Sequence, residues 1–398
     1  MAGIIVLALA YIISHFYRSF LAVLSPALSS ELGMSPAELS SALGAWFLTF
    51  ALCQFVVGVL LDRVGAKTTS ASMFAIGAGG GGLLFATAQS AFTIKVAMVA
   101  LGAGCAPILM ASVYIFKRSY ESRRFATLTS TFIAVGLAGN ILGSSPLAWA
   151  TEAYGWRSVM VGLSLTTIIL SVLIMVLVTD PPPAEKGTHG HGSYLDILKL
   201  RELWWILPLV FFNYAVGGGL RGVWSGPYLD IVHGLDASGI GMITLGMAIA
   251  MTVGSFVYGP ADRIFNTRKW VILAGGVVSF VALMFWALNP AVSANTVTII
   301  LIVIGFFSLF YGLLMAHATA NIPDHLAGRG VTLVNFFNMG GVGVMQWVTG
   351  RVYEGNTVDT DPAAGFASVI WIYAIGYAIV LALYALSKDA KPTEKSAS

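Results

Sequence analysis

Length, composition and charge place this chain in a membrane. Its 398 residues are 57% hydrophobic and 10% charged, with a net charge of +3, whereas soluble domains carry about 25% charged residues. This composition excludes a soluble catalytic domain, and so small a net charge does not indicate a nucleic-acid partner.

Apolar stretches of about 20 residues recur along the chain, and each is long enough to cross a hydrocarbon core about 30 Å thick as a helix. We therefore predict an all-α integral membrane protein with about twelve spans. Because the first stretch lacks a basic N-terminal region and contains Arg18, we expect it to be a retained helix. The predicted spans lie at about 3–29, 38–61, 69–89, 93–116, 125–150, 157–179, 203–229, 238–260, 270–289, 295–320, 331–351 and 364–387.

Basic residues indicate the orientation of these spans. Short connections on one side carry the positive charge, and cytoplasmic loops are enriched in lysine and arginine. We therefore expect that side and both termini to be cytoplasmic, in the inner (plasma) membrane of a bacterium. The basic residues of these connections include Arg63, Lys67, Lys117, Arg118, Arg123, Arg124, Arg263, Arg268 and Lys269.

One long polar break, 180–202, divides the chain, and we expect it to be a cytoplasmic linker. It separates a predicted six-helix bundle at 1–179 from a second at 203–388, which is followed by a cytoplasmic tail at 389–398. The halves form an internal repeat. A shift of about 200 residues places Asp62-Arg63 on Asp262-Arg263, Pro26 on Pro227 and Gly33 on Gly234. Such a duplication predicts two pseudo-symmetric bundles with a binding site at the membrane midplane.

Two segments carry a family resemblance. GVLLDRVGAK, which starts at Gly58, resembles the signature of the major facilitator superfamily between helices two and three, and GPADRIFNTRK, which starts at Gly259, resembles its degenerate copy between helices eight and nine. The resemblance covers essentially the whole chain and implies the major facilitator fold. In this motif glycine permits close helix packing, and the charged residues bond to helix ends and to each other. The resemblance thus implies a gating role for Gly58, Asp62, Arg63, Asp262 and Arg263.

Two arginines, Arg18 and Arg221, lie inside apolar segments with no carboxylate at comparable depth. An arginine at the bilayer centre costs about 2.5–3.5 kcal/mol even on lenient scales, so it is retained for a function. Guanidinium is always charged and binds carboxylate or phosphate through a fork of N–H donors. We therefore expect both side chains to bind a mobile anion.

A second resemblance supports the same residues. RSFLAVLSPAL, which starts at Arg18, is similar to the first helix of organophosphate:phosphate antiporters, and WSGPYL at Trp224 resembles their seventh helix. In those transporters one arginine from each helix binds the substrate phosphate, which implies this role for Arg18 and Arg221. Arg221 lies two residues closer to its proline than Arg18 does, so we expect an irregular, glycine-rich helix around it. The histidine of the family's fifth helix is missing, with Ile133 near that position.

Helical spacing suggests further residues along the route. In a regular first helix, Tyr11, His15, Arg18 and Ser25 share one face. The seventh, tenth and eleventh spans offer aromatic, histidine and amide side chains that can orient a substrate. Beyond the two arginines, the predicted substrate-binding residues are Tyr11, His15, Tyr214, Trp224, Tyr228, Tyr311, His317, Asn335 and Asn338.

These features predict a monomeric secondary transporter that moves a small anion by alternating access between two halves. The anion is expected to be an organic carboxylate, a phosphonate or an organophosphate. The coupling stays open between exchange for a counter-anion and proton symport through His15 or His317. Export of a hydrophobic compound is the alternative function. We expect no enzyme activity, no cofactor and no metal, and we expect the glycine run at Gly77–Gly82 to serve helix packing.

Overall fold

The computed structural model describes residues 2–181, 194–323, 326–357 and 362–391. The middle of the predicted linker, 182–193, and the end of the predicted tail, 392–398, lie outside the described residues. Within the described ranges every regular element is a helix.

The helices of the first half begin at the second residue of the chain. A π-helical segment, Phe74–Gly79, joins α4 to α5. The α-helices are α1 Ala2–Phe16, α2 Leu21–Leu32, α3 Pro36–Arg63, α4 Ala66–Met73, α5 Gly80–Ala86, α6 Ala91–Ser119, α7 Ser122–Gly136, α8 Ala138–Leu142, α9 Ser145–Tyr154 and α10 Trp156–Leu177.

The second half follows the same plan. A π-helical segment, Leu220–Trp224, joins α12 to α13. The α-helices are α11 Tyr194–Leu198, α12 Leu203–Gly219, α13 Ser225–His233, α14 Ala237–Phe265, α15 Lys269–Leu288, α16 Ala294–Phe307, α17 Tyr311–Ala320, α18 Ala327–Asn356 and α19 Pro362–Ala385.

Among the described residues, nine helical stretches are long and apolar enough to cross a membrane, and two bent pairs raise the number to eleven. One pair is α1 with α2, and the other is Leu128–Leu142 with Ser145–Tyr154. The remaining predicted span, 331–351, lies within α18, where Asn335, Asn338 and Gln346 lower the hydropathy. Each of the twelve predicted spans therefore coincides with helix, which confirms the all-α membrane fold.

The chain divides into two compact units. The first comprises Met1–Thr188 and Asp236–Leu245, and the second comprises His189–Leu235 and Gly246–Ser398. The N-terminal residues of α14 thus group with the first unit. Each unit buries its own core of aliphatic and aromatic side chains.

Equivalent glycines of the internal repeat have the same backbone conformation in the two units. Gly33 ends α2 with a φ of 65°, and Gly234 ends α13 with a φ of 64°. These left-handed conformations favour glycine at the end of a helix. The sequence repeat had placed these two glycines on each other, so the equivalence of the first and seventh spans holds in local geometry.

Glycines also set equivalent helix contacts within the two units. A Cβ added to Gly139 of α8 would overlap the carbonyl oxygen of Ile12 in α1, and a Cβ added to Gly341 of α18 would overlap that of Phe211 in α12. The predicted packing role of the glycine run is also confirmed, because a Cβ on Gly77 would lie 2.6 Å from the Cα of Gly104. Small residues therefore let the spans approach closely.

Candidate functional site

Arg18 lies where the first span breaks. Residues 17–20 separate α1 from α2, and the two helices are bent by 51°. The amide of Arg18 donates to the carbonyl of His15 at 3.2 Å, a bond across three residues that tightens the turn. The prediction of one regular helix face from Tyr11 to Ser25 is therefore wrong, since the helix breaks at residues 17–20, between His15 and Ser25.

The guanidinium of Arg18 rests on two aromatic rings of α3. Its central carbon lies 4.9 Å from the ring centroid of Phe50 and 5.5 Å from that of Trp46. The two rings stack with centroids 5.1 Å apart and planes at 14°. Such cation–π contacts hold a guanidinium in place without using its N–H groups.

Arg18 is buried, with 6% of its surface exposed. Among the described residues no carboxylate forms a salt bridge with it, and its Nε has no hydrogen-bond partner. Buried polar groups in folded proteins are nearly always hydrogen-bonded. Nε of Arg18 is therefore a buried donor that the described residues leave unused.

Tyr11 and His15, about two turns and one turn before Arg18, contact the fifth span instead. The ring of Tyr11 stacks on Phe132 of α7 at 5.0 Å and meets the ring of His15 edge-on at 4.4 Å. Nδ1 of His15 lies 3.3 Å from the carbonyl oxygen of Tyr11. The structure thus brings these two predicted site residues together beside the fifth span, whereas Arg18 contacts α3.

Arg221 lies in the π-helical segment Leu220–Trp224, in the middle of the seventh span. The predicted irregularity of this helix is confirmed, since a π-helical turn widens the helix and changes the angular position of the residues that follow. Arg221 is 4% exposed. The ring of Tyr214 packs against Gly218, where an added Cβ would lie 3.4 Å from the Cζ atom of that ring.

Trp224 and Tyr228 use their polar groups inside the second unit. Nε1 of Trp224 donates to Oγ1 of Thr349 at 3.1 Å. The hydroxyl of Tyr228 donates to the carbonyl of Pro290 at 2.7 Å, and its ring meets Trp286 edge-on at 5.1 Å. These contacts hold the seventh span in the unit, and the predicted substrate contacts of the two residues stay predictions.

Two of the predicted residues on the tenth and eleventh spans meet directly. The hydroxyl of Tyr311 donates to Oδ1 of Asn335 at 3.0 Å, which joins α17 to α18. Asn338, one turn further along α18, is 2% exposed, and its Oδ1 has no hydrogen-bond partner among the described residues. Asn338 therefore offers a buried acceptor.

His317 links the tenth span to the end of the last helix. The residue is fully buried, its Nδ1 lies 2.6 Å from the Tyr384 hydroxyl, and its Nε2 lies 2.8 Å from the carbonyl oxygen of Lys388. A carbonyl only accepts, so Nε2 carries the proton, and in the neutral ring Nδ1 accepts from Tyr384. Both ring nitrogens are thus engaged within the unit, and substrate contact by His317 stays a prediction.

The two copies of the family-like signature differ in their contacts. In the first copy Asp62 and Arg63 are exposed, neither forms a salt bridge with a described residue, and a Cβ on Gly58 would meet no atom within 4 Å. The close helix approach expected at Gly58 is therefore not seen in this structure.

In the second copy Asp262 is only 6% exposed and pairs with Nε of Arg268 at 3.1 Å. Its neighbour Arg263 is exposed. The acid thus bonds to an arginine at the start of the next span, and a shared gating role for Asp262 and Arg263 stays a prediction.

Sequence reasoning missed two carboxylates that bind helix N-termini. Asp180 accepts a hydrogen bond from the amide of Lys67 at 2.8 Å. Asp389 accepts from the amides of Arg268 and Lys269 at 3.2 and 3.0 Å. The signal was present in the repeat, because each half has an aspartate shortly after its last span.

Comparison with known proteins gives the chain a family context. A family model described as Major Facilitator Superfamily matches residues 7–346. A relative from Agrobacterium vitis that is named as a tartrate transporter is 22% identical over 362 residues, which cover 84% of this chain and 79% of that protein. A relative from Cupriavidus necator that is named as a sulfoacetate transporter is 24% identical over 328 residues, which cover 76% and 75%.

Solved structures share the fold. The crystal structure of a bacterial homolog of the human lysosomal transporter Spinster, in an inward-facing and occupied conformation, matches with a TM-score of 0.77 and 17% identity. The match covers 96% of each chain. At this level of identity the likeness concerns the fold alone.

Proposed function

The chain belongs to the major facilitator superfamily, and we propose that this multi-pass membrane transporter moves a small organic anion by alternating access, with Arg18 and Arg221 binding the anionic group. Alternating access is the general mechanism of secondary transporters built from two repeats. The proposal concerns the substrate class, the residues that bind it and its coupling.

The observation that carries the proposal is the environment of Arg18. Its guanidinium stays charged in any protein environment, it is buried, and among the described residues it meets aromatic rings instead of a carboxylate. A charge in the bilayer core needs an anionic partner or water to offset its desolvation. A transported anion supplies that partner.

The helix geometry around both arginines supports the same assignment. Arg18 lies at a 51° bend, and Arg221 lies in a π-helical segment of its own unit. Irregular turns inside membrane spans occur where the backbone is buried in protein or lines a cavity, and π-helical turns are frequent at functional sites. Two spans related by the repeat each place an arginine at such an irregularity.

The anionic group is best matched by a carboxylate or a sulfonate. Relatives are named for tartrate and for sulfoacetate, and Ile133 lies near the place where the phosphate-transporting family resembled above has a histidine. Asn338 contributes a buried acceptor, which suits a substrate hydroxyl. The proposed substrate is therefore a small hydroxy-carboxylate or sulfonated acid.

Two coupling modes fit these residues. Exchange of one anion for another follows if the arginines resist reorientation without a bound anion. Proton symport follows if His15, one turn before Arg18, takes up a proton together with the substrate. A bound anion favours the protonated imidazole, so the two uptake events would reinforce each other.

Transport by proteoliposomes tests the proposal. Vesicles preloaded with tartrate should take up labelled tartrate and sulfoacetate, and uptake should be lost in Arg18→Ala and in Arg221→Ala. Arg351→Ala is a matched control, because Arg351 also lies over an aromatic ring, that of Trp347 at 5.4 Å, but is exposed. Uptake that survives both site substitutions, or transport of tetraphenylphosphonium without any anion, contradicts the proposal.

The same vesicles separate the coupling modes. If transport is by exchange, uptake requires an anion inside the vesicles and does not change with an imposed pH gradient. Proton symport loads unfilled vesicles when the outside is acidic, and His15→Gln should then abolish the response to pH while Arg18 still binds the anion.

A further inference from the structure

Trp46 carries a second buried donor beside Arg18. The side chain lies in α3, is fully buried, and its Nε1 has no hydrogen-bond partner among the described residues. An indole N–H that is buried normally finds an acceptor. Burying the indole N–H without an acceptor costs about as much free energy as a lost hydrogen bond, and such unsatisfied groups are rare in folded proteins.

The indole of Trp46 lies beside the guanidinium of Arg18. The guanidinium carbon of Arg18 lies 5.5 Å from the centroid of the Trp46 ring system that bears Nε1. Nε of Arg18 likewise lacks a hydrogen-bond partner in the described chain. A carboxylate or sulfonate has more than one acceptor oxygen, so one such group can accept from the guanidinium and the indole together.

The indole is held in a fixed orientation. Its ring stacks on Phe50 and meets Phe47 edge-on at 4.9 Å. The backbone at Trp46 is packed tightly against Gly102 of α6. A Cβ added to Gly102 would overlap the carbonyl oxygen of Trp46. A donor that is immobile before binding loses little entropy when it bonds to a ligand.

We infer that the indole N–H of Trp46 is the second hydrogen-bond donor to the anionic group that Arg18 binds, an inference that rests on the proposed function. Because the indole N–H is neutral, it orients the bound anionic group without adding positive charge to the site. Within this unit the anionic group then meets one positive charge and one neutral donor.

The substitution Trp46→Phe removes the N–H donor and keeps an aromatic ring over the guanidinium. Affinity for tartrate and sulfoacetate, measured by calorimetry on the purified full chain, should fall about 10- to 100-fold, the range for a hydrogen bond to a charged group. Trp149→Phe is the matched control, because that indole lies in α9 of the same unit and is 65% exposed. The affinity of Trp149→Phe for both anions should equal that of the native chain.

Arg18→Ala separates this inference from the proposed function. If Arg18→Ala abolishes binding while Trp46→Phe leaves affinity unchanged, Trp46 is not a donor and the inference is overturned, but the arginine site stands. If Arg18→Ala leaves affinity unchanged, the proposed site itself is overturned. Loss in both variants supports both statements.

A spectroscopic readout covers the case in which Trp46→Phe does not fold. In the ¹⁵N-labelled native chain, the indole resonance of Trp46, assigned by selective labelling, should move downfield when tartrate or sulfoacetate is added, while that of Trp149 should stay in place. A Trp46 resonance that does not move with either anion overturns the inference.

Discussion

The carboxylate of Asp389 accepts a hydrogen bond from the backbone amide of Lys269, the first residue of α15. In the first unit Asp180 does the same for Lys67 in the first turn of α4. Each acid follows the last span of its half and binds the N-terminus of the third, where a negative charge compensates the helix dipole. The contact thus belongs to the repeated unit, although neither aspartate is part of the family-like signature.

Removing the charge of Asp389 should destabilise the second unit in a pH-dependent way. Burial alone would raise the pKa of this carboxyl, but hydrogen bonds from Thr267 and from the amides of Lys269 and Arg268 lower the pKa below its ordinary value. The ionised form therefore stabilises the fold above the ordinary pKa, near 4, and this stabilisation is lost as the pH falls through the folded pKa. Asp389→Asn should cost about 1 kcal/mol at pH 7, as for other helix caps.

Thermal unfolding in detergent measures this effect. At pH 7 the variant should melt about 2–4 °C lower, and the difference should shrink between about pH 5 and pH 3. Asp196→Asn is the control, since Asp196 pairs with exposed Lys199 and exposed ion pairs contribute little. A difference that persists unchanged at pH 3 would show that the carboxylate charge is not what stabilises α15.

The spans and the repeat could be predicted because they depend on local properties. Hydropathy over about 20 residues reports whether a helix can cross the bilayer, and the match of Gly33 with Gly234 reports the duplication. The irregular helix at Arg221 was predictable for the same reason, since Gly217, Gly218 and Gly219 precede it. These features need no knowledge of which helices touch.

The surroundings of Arg18 could not be predicted in the same way. Residues 16–21 contain neither proline nor glycine, so these residues give no signal of the bend that separates Ser25 from the helix face of Tyr11 and His15. Trp46 and Phe50 are ordinary aromatic residues of an apolar span, and their contact with Arg18 depends on how α3 packs beside the break between α1 and α2. Likewise, the engagement of His317 with Tyr384 and Lys388 is a tertiary contact that spacing along one helix cannot reveal.

The glycine contacts predict a matched series of substitutions. Gly139→Ala and Gly341→Ala each force a methyl group into the carbonyl oxygen of a neighbouring span, and overpacking of this kind costs about 1–3 kcal/mol. Both variants should melt several degrees lower. In Gly162→Ala of α10 the new methyl group meets nothing within 4 Å, so that variant should be as stable as the native chain or more so. Equal melting temperatures for all three would contradict the close packing.

The His317 link predicts a coupled loss of stability. His317→Leu leaves the buried Tyr384 hydroxyl and the Lys388 carbonyl without their partner, at a cost of about 1–3 kcal/mol for each unsatisfied group. Tyr384→Phe breaks one of the same bonds and should cost less. Because the two residues interact, the double variant should lose less stability than the sum of the single variants. Denaturant unfolding of all four proteins completes this cycle, and strictly additive losses would argue against the hydrogen bond.

The ring of Phe50 should be important for anion affinity although it cannot bond to the anion. Its centroid lies 4.9 Å from the guanidinium carbon of Arg18, and a cation–π contact contributes about 0.5–2 kcal/mol. Phe50→Leu keeps an apolar side chain but removes the ring face, so the guanidinium is held less firmly before the anion arrives. Calorimetry with tartrate should then show an affinity about 2- to 30-fold lower. Phe92→Leu, at a position 75% exposed on α6, removes a ring that faces outward and should leave the affinity unchanged. An unchanged affinity in Phe50→Leu, together with lost binding in Arg18→Ala, would mean that Trp46 alone orients the guanidinium.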